Sequence, residues 1–252
     1  MENKKNKKIK EPSEYSWCLE DIKNFNSDIK IIVEVGSRDG LDAIKISEAF
    51  NSNENFVFEA DPELIEEIKI NIHNFGQNSN FKIFNLALGD SDKEVSFYAV
   101  DKDRYTNKGV GSLFKIDFEN RETTDPDYKR KGVQKEIKIN QNKYTSLNLP
   151  NPDLLLIDVE GAEHEVLKGF EDKLAKIKFI VLESSISKNQ VGAKTFGDIH
   201  KLLKNNFRLS KNTRYQKNYK IFLELYKYRF LLRKFYIPSF DLFYVNKNID
   251  IL

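Results

Sequence analysis

The stretch Ile31-Ile32-Val33-Glu34-Val35-Gly36-Ser37-Arg38-Asp39-Gly40 decides how the chain folds: an apolar run meets an acid, then a short turn bracketed by two glycines. A run of β-branched residues suits a strand buried on both faces, and the glycines permit the sharp turn by which such a strand enters a helix. Two other runs end the same way. Phe56-Val57-Phe58 stops at Glu59, and Leu154-Leu155-Leu156-Ile157 stops at Asp158. Ligands of open parallel α/β sheets sit beyond the carboxyl ends of the strands, so three acids at strand ends can ring one small cationic, ribose-bearing ligand. Glu59 follows Glu34 by 25 residues, about one β-α-β step, where the ribose hydroxyls of a bound nucleotide are held.

The turn also narrows the choice of nucleotide. A dinucleotide site wants uncharged backbone against a pyrophosphate, usually spaced G-x-G-x-x-G. Here the spacing is G-x-x-x-G, with Asp39 inside the turn and Glu34 just before it. A pyrophosphate would meet two carboxylates, whereas a ligand carrying an ammonium and a sulfonium is attracted to them. S-adenosylmethionine fits that description, with its methionyl end over the turn and its ribose on Glu59. A nicotinamide-dependent oxidoreductase is disfavoured on the same ground. A nucleotide-binding module without turnover is the other alternative.

Outward from this core the pattern is α/β. Strand Lys30 to Val35 leads to a helix with Leu41, Ile44 and Ala49 on one face, widened by Ile46 and Phe50. Strand Asn55 to Glu59 leads to a helix capped by Asp61, with Pro62 at its first helical position and Leu64, Ile65, Ile68 and Ile72 as its buried stripe. Strand Phe81 to Leu86 follows. Val95 to Tyr98 and Glu136 to Ile139 alternate and read as antiparallel or edge elements around a long polar loop. The α/β pattern resumes with strand Asp153 to Asp158, a helix from Ala162 to Leu174, strand Lys178 to Glu183, a helix from Phe196 to Asn205, and strands Phe207 to Ser210 and Asp241 to Val245. The expected fold is a Rossmann-like α/β sheet of seven mostly parallel strands, with helices on both faces and a C-terminal antiparallel hairpin.

Composition bounds the rest. The 252 residues suit one domain, expected over 30–252 after an N-terminal arm and lead-in over 1–29. Insertions are expected near 99–135, as a polar loop, and near 214–238, as a basic aromatic helix. With 41 basic against 39 acidic residues there is no global field to recruit nucleic acid. The single cysteine, Cys18, excludes an internal disulfide and fits a reducing compartment, where it reads as a small semi-apolar residue. No secretory leader and no run of about 18 apolar residues is present, so the expected location is cytoplasmic, without a transmembrane segment.

Several segments in order carry a more specific signal. Val33-Glu34-Val35-Gly36, Phe58-Glu59-Ala60-Asp61-Pro62, Leu86-Ala87-Leu88-Gly89-Asp90, Gly111-Ser112-Leu113 and, above all, Leu155-Leu156-Ile157-Asp158-Val159-Glu160-Gly161-Ala162-Glu163 with Val166-Leu167-Lys168-Gly169 resemble the FkbM family of S-adenosylmethionine-dependent O-methyltransferases. The resemblance covers roughly Ile31 to Asn206 and the final strand. It implies a class I methyltransferase fold, with Gly36, Ser37, Arg38, Asp39 and Gly40 under the methionyl part and Glu59 with Ala60 at the ribose. Asn85, Ala87 and Leu88 are then near the adenine, and Asp158 is near the reacting methyl. Arg38 departs from the family, which often has a small residue and Asn in this turn.

Methyl transfer to oxygen needs alignment of the reacting atoms and a group to take the hydroxyl proton. Asp158 is the first candidate, with Glu160 beside it and His164 as an alternative base if Glu160, Glu163 and His164 share a face. Glu183 ends its strand and can reach the acceptor side. Carboxylates from Asp158 with Glu160 or Glu183 could hold a hard divalent cation, but no ligand triad is unambiguous and no metal is assigned. His73 and His200 read as surface or packing residues. From Arg214 to Lys234, basic residues alternate with Tyr219, Phe222, Tyr226 and Phe230. That segment suits packing on the domain, an anionic or glycan acceptor, a homo-oligomer contact or peripheral membrane contact. The expected acceptor is a hydroxyl of a sugar, glycolipid, polysaccharide or related small-molecule metabolite.

Overall fold

The computed structural model describes residues 9, 12–25, 28–76, 80–101, 108–116, 134–185, 190–213, 227 and 239–249. The five parallel strands of its main sheet are β1 (Ile31–Val35), β2 (Glu54–Glu59), β3 (Asn80–Asn85), β7 (Leu154–Ile157) and β8 (Phe179–Ser184). The hairpin partners β9 (Phe207–Thr213) and β10 (Phe240–Asn246) complete seven strands in the order β3-β2-β1-β7-β8-β10-β9. β10 runs antiparallel to both β8 and β9, as expected of the C-terminal hairpin. The chain moves outward from β1 to β3 and then returns to lay β7 on the other side of β1. That reversal opens the crevice in which such sheets bind ligands.

Register decides which side chains share a face. Glu34 pairs with Val57 and with Leu156, Leu156 with Val181, and Val181 with Phe243. Since side chains alternate along a strand, Glu34, Glu59, Asp158, Glu183 and Asp241 all lie on this one face, at its ligand-binding edge. Below them the face is apolar. Ile32, Leu154, Leu156, Phe179 and Val181 pack under Cys18 and Ile22 of α1 (Ser16–Lys23) and Ile46 of α2 (Leu41–Phe50). Val57 packs with Ala43 of α2 and Ile68 of α3 (Ile65–Phe75). Val33, Val35, Leu155, Ile157 and Ile180 line the opposite face under α4 (Glu163–Gly169) and α5 (Phe196–Leu203).

Some local expectations change. α2 buries Ala43, Ile44, Ile46 and Ser47, while Leu41, Ala49 and Phe50 are only half-buried, because the helix is wedged between the sheet and α3. Ser47 is tolerated inside because Ser52 and Asn55 donate to its hydroxyl. Asp61 caps a turn ahead of α3, accepting from the amide of Glu63 at 2.9 Å, and the helix itself begins at Ile65. The expected helix from Ala162 to Leu174 breaks after Gly169 and continues as a 3-10 turn, Glu171–Lys176. Gly169 lies so close to the carbonyl of Gly89 that a Cβ would sit 2.0 Å from it. Cys18 is fully buried, with its thiol 3.1 Å from the carbonyl of Tyr15. His200 stacks on Phe196 as a packing residue.

β5 (Lys93–Val100) and β6 (Gln134–Asn142) pair antiparallel, and β4 (Ala87–Leu88) joins β6 in a separate three-stranded sheet. The two alternating runs are therefore not edges of the main sheet. Residues 102–107 and 117–133 of the expected loop lie outside the described residues, as does the 214–238 segment apart from Lys227. No described helix is long and apolar enough to cross a membrane.

Candidate active site

A cavity of about 190 Å³ opens at the switch point, lined by Glu34, Gly36, Ser37 and Arg38 from the first turn and by Glu59 and Ala60 from the end of β2. Asp158 and Glu160 enter from the end of β7. Leu86, Ala87, Leu88 and Phe97 supply an apolar wall, which suits a flat aromatic base.

Glu59 is a buried, aimed carboxylate. Its two oxygens each accept a backbone amide at 2.8 Å, one from Arg38 and one from Asp61, which fixes the plane of the group. Burial pushes its carboxyl up to about 7, against the opposing pull of those amides. Each oxygen keeps a lone pair for a ligand hydroxyl. We expect Glu59→Ala to weaken S-adenosylhomocysteine binding by about 1 to 3 kcal/mol, the scale of hydrogen bonds to a charged group. Titration calorimetry on the folded variant checks this, and an unchanged affinity removes Glu59 from the site.

The glycine turn is closed on itself. Gly36 and Ser37 donate their amides to Phe58 O, Arg38 to Glu59, Asp39 and Gly40 to Ser37 O, and Leu41 to the Asp39 carboxylate. From Gly36 to Leu41 every backbone amide is thus engaged within the protein, so a pyrophosphate would find no unspent donor there. Ser37 donates to Glu34, whose carboxyl is raised well above its ordinary range by burial and then by Asp42. Gly36 has φ +83°, and a Cβ on it would lie 1.8 Å from the carbonyl oxygen of Asp158.

Arg38 ties the turn to the N-terminal segment. Its guanidinium donates to Glu14 at 3.2 Å and lies 3.6 Å from Asp39. Glu14 in turn donates its amide to Asp42 at 3.0 Å, and Lys45 reaches the carbonyl of Pro12. These links strap residues 12–15 over the turn and bring Tyr15 into the cavity wall.

At the other end, Asp158, Glu160 and Glu183 offer carboxylate oxygens within 4.8 Å of one another. Glu160 and the following Gly161 are held in the left-handed region, at φ 53° and 104°. Ser112 donates to the carbonyl of Glu160 at 2.7 Å, and Gln190 donates to its carboxylate at 3.2 Å. Burial, then repulsion from Glu160 and Glu163, raises Asp158 well above the usual carboxylate range. Burial and then Asp158 push Glu183 up to about 10. Such a cluster can take a proton, face a sulfonium, or offer oxygen ligands to a hard cation.

Four expected site residues lie outside the cavity lining. Asp39 is turned back to cap α2, and Gly40 forms the N-cap of that helix at φ 77°. Asn85 donates its side-chain amide to the carbonyls of Glu59 and Ala60, so it braces the end of β2 from behind. His164 sits on α4 with Nδ1 3.5 Å from Glu165, away from the cavity. Glu160 precedes α4, which begins at Glu163, so the expected helical face of Glu160, Glu163 and His164 does not form, and the Glu163 carboxylate folds back to accept the amide of Gly161 at 2.9 Å. Burial pushes this group up to about 7. Among the lining residues absent from the sequence-based set are Tyr15, Asp42, Phe97 and Leu113. Of these four, only Leu113 stood in a motif that could have flagged it.

The sheet order, the helices on both faces and the crevice at the reversal of the chain define a Rossmann-like class I methyltransferase fold. Within that class, the chain belongs to the family of the methyltransferase FkbM domain, whose profile matches residues 34–209. It is 24% identical over 161 residues to the 2-O-methyltransferase NoeI of Sinorhizobium fredii (strain NBRC 101917 / NGR234), covering 62% of this chain and 63% of that one. The match therefore spans less than two thirds of this relative. Among solved structures, methyltransferase FkbM from Methylobacillus flagellatus KT is similar with a TM-score of 0.49 at 11% identity, covering 86% of this chain and 44% of that chain. TrmK from M. capricolum, solved with S-adenosyl-homocysteine, is similar with a TM-score of 0.41 at 10% identity, covering 92% of this chain and 69% of that chain.

Proposed function

We propose that this chain is an S-adenosylmethionine-dependent O-methyltransferase whose acceptor is a hydroxyl of a sugar, glycolipid, polysaccharide or related metabolite. The observation that carries the reading is the placement of two acids in one cavity: Glu59 with both oxygens aimed, and Asp158 across from it at the end of β7. The cofactor supplies an electrophilic methyl on a sulfonium. The acceptor oxygen forms the new bond to that carbon as the sulfur–carbon bond breaks, leaving its electron pair on sulfur. Glu59 holds the ribose, the apolar wall holds the adenine, and Asp158 receives the hydroxyl proton from the acceptor. Glu34 and Asp158 offset positive charge on the methionyl end.

The name of the relative NoeI, a 2-O-methyltransferase, supports oxygen as the acceptor atom. The spent amides of the glycine turn count against a nicotinamide dinucleotide. A cytoplasmic location accords with the single buried thiol. One methyltransferase domain over 30–252, with acceptor, membrane-surface or homo-oligomer contacts from the 214–238 segment, completes the reading.

The test is labelled-methyl transfer to a panel of glycans and hydroxylated metabolites, beside calorimetry with S-adenosylhomocysteine and with a nicotinamide dinucleotide. Transfer to a hydroxyl is the expected outcome. Tight cofactor binding with no transfer to any member of a broad panel favours the non-catalytic module, and preference for the dinucleotide overturns the reading.

A further inference from the structure

The methionyl end of the proposed cofactor is a zwitterion, and the cavity provides for its two charges very unequally. Glu34, Asp42 and Asp158 line the cavity and offer carboxylates to its ammonium. Its carboxylate must sit in the same acidic corner, where donors are scarce. All amides from Gly36 to Leu41 are engaged, Ser37 donates to Glu34, and the Arg38 guanidinium is turned to Glu14 and Asp39. An anion there would face acids, and the turn itself would give it no unspent donor.

One donor remains. Tyr15 is 9% exposed, lines the cavity, and has no hydrogen-bond partner for its hydroxyl among the described residues. Its ring packs with Cys18 and Ile22 over the apolar part of the sheet face. Its main chain is tied down, with its amide donating to Ser13 Oγ at 3.1 Å while its carbonyl accepts from Cys18. The strap formed by Arg38, Glu14, Asp42, Lys45 and Pro12 holds the segment against the turn. Burial, and then the acids Asp158, Glu34, Asp42 and Asp241, raise the phenol well above its ordinary ionisation and keep it protonated. A neutral phenol in this position donates; it cannot add to the repulsion.

We propose that Tyr15 is a cofactor-binding residue whose hydroxyl donates a hydrogen bond to the carboxylate of the methionyl group beside Glu34 and Asp158. The inference rests on the cavity being the cofactor site, and it gives that site a ligand from residues that precede the matched family region 34–209. It also explains why the turn carries Arg38: the guanidinium anchors the strap that delivers the phenol.

Calorimetry on the parent, Tyr15→Phe and Glu59→Ala tests this with two probes, S-adenosylhomocysteine and its decarboxylated analogue, which keeps the amine and lacks only the carboxylate. Tyr15→Phe is expected to weaken S-adenosylhomocysteine roughly tenfold and to leave the analogue within about twofold, with the melting temperature unchanged. Equal weakening of both probes would assign Tyr15 to packing, and no weakening of either would remove it from the site. Both outcomes overturn the proposal. Glu59→Ala is expected to weaken both probes. If it weakens neither, the cavity is not the nucleoside site, a failure of the underlying reading that the Tyr15 comparison alone would not produce.

Discussion

Asp158→Asn is expected to lower methyl-transfer turnover about a hundredfold or more, with a much smaller effect on S-adenosylhomocysteine affinity. The magnitude is that of a positioned general base. The side chain lies just past the last of four buried apolar residues of β7, and its amide donates to the carbonyl of Val35 at 2.9 Å, so the backbone is anchored while the carboxylate faces the cavity. Asparagine keeps the size and loses the base. Because burial and the acids Glu160 and Glu163 raise the Asp158 carboxyl, its protonated form persists to higher pH than for an ordinary aspartate. Only the ionised form can accept a proton. Turnover should therefore rise with pH through the raised ionisation of Asp158, and that acidic limb should vanish in the Asn variant. The positive charge of the bound cofactor opposes the upward shift, so the limb should lie lower when the saturated complex is followed than when free enzyme is followed. Full activity in Asp158→Asn would return Asp158 to a structural role and leave Glu160 or Glu183 as the base. Loss of parent activity on chelation, restored by a divalent ion, would instead make the three carboxylates a metal site.

The second large effect falls on the fold. Gly36→Ala should destabilise the protein by at least about 3 kcal/mol and abolish cofactor binding, because the new Cβ would lie 1.8 Å from the Asp158 carbonyl oxygen, at a φ of +83° that L-residues avoid. The obstacle is backbone, held by the β1–β7 ladder, and cannot rotate away as a side chain would. Gly40→Ala makes a useful comparison. Its φ of +77° carries a similar conformational strain, but its Cβ would meet the Ile68 side chain at 3.1 Å, which can yield. A loss of about 1 to 2 kcal/mol is expected there. Urea unfolding of the two variants measures both. A Gly36→Ala protein as stable as its parent would mean that the two strand ends are not in contact, and the site geometry built on that contact would fall.

Strand positions and their terminal acids were legible in the sequence because both are local. A continuous apolar run marks a strand buried on two faces, period-two alternation then sends Glu34, Glu59, Asp158 and Glu183 to one face, and parallel order brings their ends to one edge. That geometry brings Glu34, Gly36, Ser37, Glu59 and Asp158 to one cavity, whereas Ala60, Ala87 and Leu88, which line it too, were indicated only by the family resemblance. Polar side chains of the turns and helices, and of Asn85 at the end of β3, could not be read the same way, since their direction depends on which neighbour claims them. Asp39 was claimed by the amide of Leu41, Asn85 by two carbonyls, and Glu163 by the amide of Gly161, while His164 was carried to the side of α4 away from the cavity. Tyr15 had no pattern to announce it at all. Tyr15 reaches the cavity wall because Arg38 and Asp42 bind the residue next to it, and only the folded chain brings a segment 19 residues before Glu34 back over the end of its strand.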